Sequence, residues 1–389
     1  MNKSILILLM LMTDVLSLFS QDRRAAIDMK YAADEKHIDS IVTTYLAANR
    51  MVGVSIGIVK DGKIYLTKGY GTRETGISAP IDSLTNYLTC SITKLFTATA
   101  IMQLVEQGKI DIHQKLIYYL PDFRMKDKRY VDITIEQMLT HTSGLYWDME
   151  LKHSPNDSTA LRKLVYSMGN KVLDFAPGTS FDGTRTYSNA AYDILGYLVQ
   201  KLSSRPYPEY IRENILLESQ MPNSFLDYLQ IPAERRSVPH ILKGKKVKVG
   251  GMYTENVEHS PSGNLNSCSH DLCYWIIEQL NIYNHPTSFR GVVGKSTQED
   301  MWTTRFVAPQ NEHVSIGLGW WITNDEDLGK YYWHVGDNPG FSATLMVFPE
   351  HNFGITVLSN QMYAEQIVWN KIPFDIIDLF RQEWKGDSH

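Results

Sequence analysis

Ser91 and Lys94 are the first residues in this sequence whose types and spacing could do chemistry. The apolar pattern from Ser91 to Val105 predicts a buried helix that ends near Gly108. Residues three apart on a helix share a face, so the lysine amine would lie beside the serine hydroxyl. Burial lowers the pKa of an amine, and a neutral amine can accept a hydroxyl proton. The pair therefore indicates an activated alcohol at a helix N-terminus, where the helix dipole favours developing negative charge.

The second motif is Tyr187-Ser188-Asn189, which follows a loop rich in glycine and polar residues. Alternate residues of an extended segment point the same way, so Tyr187 and Asn189 could reach one cleft together. A tyrosine beside the lysine could hold or relay a proton. The asparagine could hold the lysine or a substrate carbonyl.

The third motif is His334-Val335-Gly336, at the end of a predicted strand. His334 could donate a hydrogen bond to a substrate carboxylate or to Tyr187. Gly336 has no side chain, so a substrate backbone could approach the strand closely there.

Each motif alone also has a purely structural interpretation. Ser91 could cap a helix while Lys94 extends to solvent, Asn189 could cap the next helix, and His334 could occupy an edge strand. The spacing of one motif does not separate these alternatives, so the three motifs have to be weighed together.

The elements that must position these residues come from both ends of the chain. Strand patterns occur at 52–59 and 63–71, and they return near the C-terminus at 317–323, 331–336, 341–349 and 353–360. Helical patterns dominate the region between, and a final amphipathic helix is predicted at about 363–383. This order predicts an α/β (α+β) fold, in which one antiparallel sheet from both chain ends is flanked by helices and a helical subdomain is inserted. A cleft is expected where the sheet and the helical region meet.

The order SITK, YSN and HVG resembles the serine β-lactamase and penicillin-binding protein superfamily, and most closely its class C-like branch, which also includes esterases and D-amino acid peptidases. SITK matches the first motif of that superfamily, whereas YSN and HVG take the places of SDN and KTG. The likeness covers about residues 35–380 and extends to segments between the motifs. These segments are 108–123, 133–145, 187–203 and 261–272.

The resemblance implies a hydrolase that forms an acyl-enzyme on a small ester, amide or peptide, without metal or organic cofactor. Ser91, Lys94 and Tyr187 would be catalytic, with Tyr187 as the base that activates water. The implied oxyanion hole consists of backbone N–H groups of Ser91 and of a residue after Gly336, taken as Asn338. The substrate-binding residues would be Asn189, His334, Gly336 and Asn338.

Two departures from the family pattern bear on function. His334 replaces the lysine that members acting on β-lactams usually carry, which weakens the case for antibiotic hydrolysis. Cys90 stands where a small residue such as glycine is common. A β-lactamase proper and a D-Ala carboxypeptidase remain alternatives, and so does a non-catalytic ligand- or peptidoglycan-binding protein on the same scaffold.

Composition sets the remaining limits. The 389 residues include 43% hydrophobic and 21% charged residues, which is ordinary for a globular protein, and the net charge of -5 provides no basic field for nucleic acid.

Residues 1–20 are predicted to be a secretory signal, which implies a periplasmic or secreted protein without a stable membrane span after cleavage. The catalytic domain is predicted to be 21–389, with a sheet region of about 35–90 and 310–385 and a helical region of about 91–305. Cys268, His270 and Cys273 have a poor spacing for zinc.

Overall fold

The sheet predicted from both chain ends is present in the computed structural model. The structure describes residues 28–145, 157–179, 186–244, 246–251, 257–362 and 364–384. The predicted secretory signal at 1–20 lies outside these residues and stays a prediction. Within them, no helix combines the length and the apolar character needed to cross a membrane.

Twelve strands occur among the described residues. They are β1 (Gly53–Lys60), β2 (Lys63–Gly71), β3 (Tyr87–Leu88), β4 (His240–Lys243), β5 (Lys246–Val249), β6 (Asn266–Ser267), β7 (Phe306–Ala308), β8 (Asn311–Ile316), β9 (Trp321–Asp325), β10 (Gly329–Asn338), β11 (Phe341–Phe348) and β12 (Phe353–Ser359). Eight of them form one antiparallel sheet in the order β2-β1-β12-β11-β10-β9-β8-β7. Because β1 pairs with β12, strands from the two ends of the chain are neighbours in this sheet, which confirms the predicted fold class.

Eleven α-helices occur among the described residues. They are α1 (28–49), α2 (Thr93–Glu106), α3 (Leu116–Tyr119), α4 (Ile135–Leu139), α5 (Ala160–Ser167), α6 (Asn189–Ser203), α7 (Tyr207–Ile211), α8 (Ser260–Gly263), α9 (Ser269–Asn284), α10 (Lys295–Met301) and α11 (Ile372–Trp384). The last helix begins later than the predicted 363, since a π-helical segment at Ile367–Lys371 precedes it.

Helices cover both faces of the sheet. On one face, Ile38 of α1 and Phe380 of α11 pack with sheet residues such as Ile56 in one apolar cluster. On the other face, Leu95 of α2 and Trp275 of α9 belong to a larger cluster. Every residue of β11 and β12 is buried, which explains why these strands are continuous apolar runs rather than alternating ones.

The cysteines are packing residues in this fold. Cys268 and Cys273 are both buried, and neither is part of a disulfide. A Cβ on Gly57 of β1 would lie 2.6 Å from Cys273 Sγ, so α9 crosses the sheet in close contact at this glycine. The described residues contain no group of His, Cys, Asp and Glu side chains arranged to hold a metal ion.

Candidate active site

Ser91 lies on a single 3-10 turn, Cys90–Ile92, that leads directly into α2. Lys94 follows in the first turn of α2. Its side chain is fully buried, although it is a basic residue in a largely apolar helix. The Lys94 Nζ lies 3.1 Å from the Ser91 Oγ, within hydrogen-bonding distance. The structure therefore brings together the two residues that the first motif singled out.

Two further oxygens fix the Lys94 amine. The Nζ donates to Asn189 Oδ1 at 2.7 Å and to the Ser262 carbonyl at 2.6 Å. Both of these oxygens only accept hydrogen bonds, so they take the two N–H bonds of a neutral amine. The nitrogen lone pair is then left for the Ser91 hydroxyl, which can donate its proton to it.

The environment of Lys94 favours the neutral amine. Burial lowers the pKa of Lys94 from 10.5 to about 7, although the nearby Asp193 carboxylate acts in the opposite direction. An amine with this pKa is substantially unprotonated at neutral pH, which is the state a general base requires.

Asn189 is free to contact Lys94 because another residue caps its helix. The N-cap of α6 is Ser188, whose Oγ accepts a hydrogen bond from the Ala191 backbone N–H at 3.0 Å. The alternative in which Asn189 itself caps the helix is therefore wrong. The carboxamide instead points from the first turn of α6 to the Lys94 amine.

Tyr187 completes the group around Ser91. Its ring centroid lies 4.7 Å from Lys94 Nζ, and its phenol is close enough to the Ser91 side chain for the serine to affect the pKa of the phenol. Burial raises the pKa of Tyr187 well above its ordinary value, and the nearby Ser91 side chain only partly opposes this. The phenol is thus protonated at neutral pH, which argues against the expectation that Tyr187 alone is the base for water. Proton relay is the role that fits a protonated phenol.

His141 was not assigned a role from the sequence, although it lies within the family-like segment 133–145. Its ring stacks on Tyr187 with a centroid distance of 4.2 Å, and its Nδ1 accepts the Ser188 backbone N–H at 3.1 Å. Burial holds the pKa of His141 well below its ordinary value. The neutral ring therefore positions the tyrosine from the side of the loop that follows α4.

His334 lies close to Tyr187, with their ring centroids 6.5 Å apart. Its Nδ1 lies 2.7 Å from the Val335 carbonyl, and because a carbonyl only accepts, Nδ1 carries the proton. Burial, with a smaller effect of Lys94, lowers the pKa of His334 to about 3. The ring is neutral and its Nε2 is an acceptor, which argues against the expectation that His334 donates to Tyr187 or to a substrate carboxylate. Its place among the substrate-binding residues stays a prediction.

Gly336 of β10 is surrounded by the protein's own backbone. A Cβ at this position would lie 2.3 Å from the Thr89 carbonyl and 3.0 Å from the Ser91 backbone nitrogen. The expectation that the missing side chain admits a substrate backbone is therefore corrected. Gly336 allows β10 to approach the turn that carries the serine.

Gly336→Ala is expected to lower both stability and activity. The added methyl group overlaps the Thr89 carbonyl, which costs about 1–3 kcal/mol of unfolding free energy unless the backbone shifts. A shift of the Ser91 turn would lower turnover by about 100-fold. Denaturant unfolding and the rate of serine labelling measure the two effects. Gly169→Ala, where the nearest atom to an added Cβ is 3.9 Å away, is the control and should change neither.

Asn338 is the last residue of β10 and pairs with Phe341 across the turn to β11. It lines a shallow pocket with Tyr228, Asn264 and Asn266. The part of β10 from His334 to Asn338 pairs with β11, whereas β9 pairs only with the first half of β10. An oxyanion hole formed by the backbone N–H groups of Ser91 and Asn338 stays a prediction.

Cys90 has a backbone explanation that sequence reasoning did not find. Its φ is +52°, a left-handed conformation that glycine adopts without strain. The family's preference for a small residue at this place follows from that conformation. Burial raises the pKa of the Cys90 thiol well above its ordinary value, so the side chain is an unreactive packing group.

Comparison with known proteins identifies the family of this chain. Residues 38–372 match the family model described as Beta-lactamase. Protein flp of Staphylococcus aureus strain MW2 is 29% identical over 328 residues, which cover 84% of this chain and 63% of the relative. This chain therefore spans less than two thirds of the length of that relative. Penicillin-binding protein 4* of Bacillus subtilis strain 168 is 23% identical over 355 residues. The matched region covers 84% of this chain and 72% of that relative.

Solved structures with the same fold include an octameric penicillin-binding protein homologue from Pyrococcus abyssi, with a TM-score of 0.72 and 25% identity over 84% of this chain and 73% of that chain. A class C beta-lactamase has a TM-score of 0.71 over 89% of this chain and 95% of that chain. Its 19% identity shows a likeness of fold alone. Because the family model matches residues 38–372, most of this chain, the chain belongs to the beta-lactamase family.

Proposed function

We propose that the protein is a serine hydrolase that forms an acyl-enzyme on Ser91. The observation that carries this proposal is the position of the Lys94 amine, 3.1 Å from the serine hydroxyl and fully buried. Burial brings the pKa of this amine to about 7, so it can take the hydroxyl proton at neutral pH.

In the first step, the Ser91 oxygen attacks the substrate carbonyl carbon while its proton moves to Lys94 Nζ. The resulting oxyanion is stabilised by the backbone N–H groups of Ser91 and Asn338, each typically worth about 3 kcal/mol in the transition state. When the intermediate collapses, the leaving oxygen or nitrogen receives a proton from Lys94 through Tyr187. The product of this step is an ester of Ser91.

In the second step, water attacks that ester and its proton returns to the Lys94–Tyr187 pair. Tyr187 accepts a proton only as it passes its own to a neighbour, because burial raises the pKa of its phenol. Asn189 and the Ser262 carbonyl keep the amine in place in both steps. Ser91 then regains its hydroxyl proton and the cycle closes.

The substrate proposed is a small neutral ester, amide or peptide. His334 is neutral and contributes no positive charge at the place where β-lactam-processing relatives usually have lysine. A β-lactam carboxylate would therefore have no cationic partner at this place, which argues against a β-lactamase proper and, for the same reason, against a D-Ala carboxypeptidase.

The predicted signal at 1–20 supports a further proposal, that the protein acts in the periplasm or is secreted. An exported protein that keeps these residues would contradict signal cleavage.

A substrate panel tests this function. We expect p-nitrophenyl esters and N-acetylated D-amino acid amides, which carry no charge, to be hydrolysed with kcat/KM at least tenfold above nitrocefin and D-Ala-D-Ala peptides. Mass spectrometry should detect an adduct on the Ser91 peptide after treatment with a fluorophosphonate. A protein that binds these compounds without turnover or adduct would be the non-catalytic alternative, and faster nitrocefin hydrolysis would overturn the assigned substrate class.

A further inference from the structure

A second buried polar pair lies behind the candidate site. His259 Nδ1 and Asp193 Oδ2 are 2.7 Å apart, and both side chains are almost fully buried. Because a carboxylate only accepts, His259 Nδ1 donates this hydrogen bond whatever the charge of the ring. The other carboxylate oxygen, Asp193 Oδ1, is buried and has no hydrogen-bond partner among the described residues. Such an arrangement costs free energy, so packing alone does not account for it.

The pair connects the two elements that hold the amine. His259 immediately precedes α8, and Ser262 of α8 supplies the carbonyl that accepts from Lys94. Asp193 lies on α6 one helical turn after Asn189, which supplies the carboxamide that accepts from Lys94. Residues four apart share a helix face, so Asp193 and Asn189 are on the same side of α6.

Other contacts also hold α8 against its neighbours. A Cβ on Gly196 would lie 2.0 Å from Pro261, so α8 packs tightly on α6. Thr97 donates to the Pro261 carbonyl at 2.6 Å from the side of α2. The His259–Asp193 bond adds a directional restraint at the start of α8, one turn away from the Ser262 carbonyl.

We propose that Asp193 and His259 form a positioning pair, which fastens α8 to α6 so that Ser262 and Asn189 hold the Lys94 amine from two sides. This inference rests on the proposed function, because it assigns the pair to the amine that activates Ser91. Neither residue touches the serine, so both act through Lys94.

The carboxylate has a second effect, through its charge. A negative charge favours the protonated amine, so Asp193 raises the pKa of Lys94 while burial lowers it. Other titratable groups also surround the amine on the remaining elements. They are Cys90 on the 3-10 turn, Tyr187 just before α6, Tyr192 in its first turn, His141 after α4 and His334 on β10.

The test is the second-order rate of Ser91 labelling by a fluorophosphonate, measured from pH 5 to 9 in the full chain. Asp193→Asn keeps an acceptor for His259 but removes the charge, so the pKa of Lys94 falls. We expect the acid limb of the rate profile to move down by about one pH unit, with the high-pH plateau kept. His259→Ala should lower the plateau about tenfold, whereas His259→Asn keeps a donor and should restore it to within about threefold.

Three results would overturn the proposal. One is an acid limb in Asp193→Asn that coincides with the wild-type limb. Another is a plateau in His259→Ala that equals the wild-type plateau, and the third is His259→Asn being as slow as His259→Ala. Thermal unfolding establishes that each variant is folded. A wild-type protein that is never labelled at Ser91 would instead refute the proposed function and the positioning role with it.

Discussion

Ser91→Ala is expected to abolish covalent labelling and to lower kcat on the order of 10⁵- to 10⁶-fold. The oxygen that attacks the carbonyl is gone, and the methyl side chain cannot form the ester. The protein should remain folded, because Ser91 is only partly buried and alanine is smaller than serine. Turnover of the best p-nitrophenyl ester and intact-protein mass after fluorophosphonate treatment measure the effect.

The control for this variant is Ser288→Ala, which removes an exposed serine from the loop between α9 and α10. Its labelling and turnover should match those of the wild type. Retained turnover in Ser91→Ala would show that another group attacks the substrate, and the mechanism would then be wrong.

Lys94→Met is expected to slow Ser91 labelling by about 10²- to 10⁴-fold, the usual contribution of a general base. Methionine has a similar length and suits the apolar surroundings, so the change removes the amine with little change in volume. In the wild type the rate should fall as pH falls through about 7, because protonation removes the lone pair of the amine. The variant should lack this limb.

Stability gives an independent measure of the same amine. The pKa of Lys94 is lower in the folded chain than its ordinary value of 10.5, so the unfolded chain binds more protons between about pH 7 and 10. The wild type therefore gains stability as pH rises across this window, and Lys94→Met does not. Denaturant unfolding at pH 7 and pH 9.5 should show that the free energy of unfolding of the variant, relative to that of the wild type, is lower at pH 9.5 than at pH 7. An unchanged difference between the two proteins would contradict a buried amine with a lowered pKa.

Most of the fold was predictable because its strands are marked by composition. The runs at β1, β11 and β12 are mostly apolar, contain no charged residue before the last position of β1 and are bounded by turn residues, so their burial could be predicted. The run at 317–323 was less informative. Gly319 has a φ of +85° and turns the chain, so β9 begins only at Trp321. A glycine's left-handed backbone has no signature in a hydrophobic pattern.

The site was predictable where side chains carry the chemistry. Ser91, Lys94 and Asn189 follow from motifs, and the structure brings them together. The Ser262 carbonyl was not predictable, because every residue has a backbone carbonyl and only the tertiary fold directs one to an amine. The Asp193–His259 pair joins residues 66 positions apart, and no local pattern relates them.

The proposed mechanism depends most directly on the protonation state of the Lys94 amine. We propose measuring the pH titration of the Lys94 side chain by NMR in protein labelled with ¹³C at lysine Cε, with Lys94→Met to assign the signal. We expect one lysine resonance to titrate near pH 7 and to be missing from the variant, while exposed lysines titrate above about 10. If every lysine resonance titrates above pH 10 and the variant removes one of these, Lys94 is charged at neutral pH and cannot be the base for Ser91.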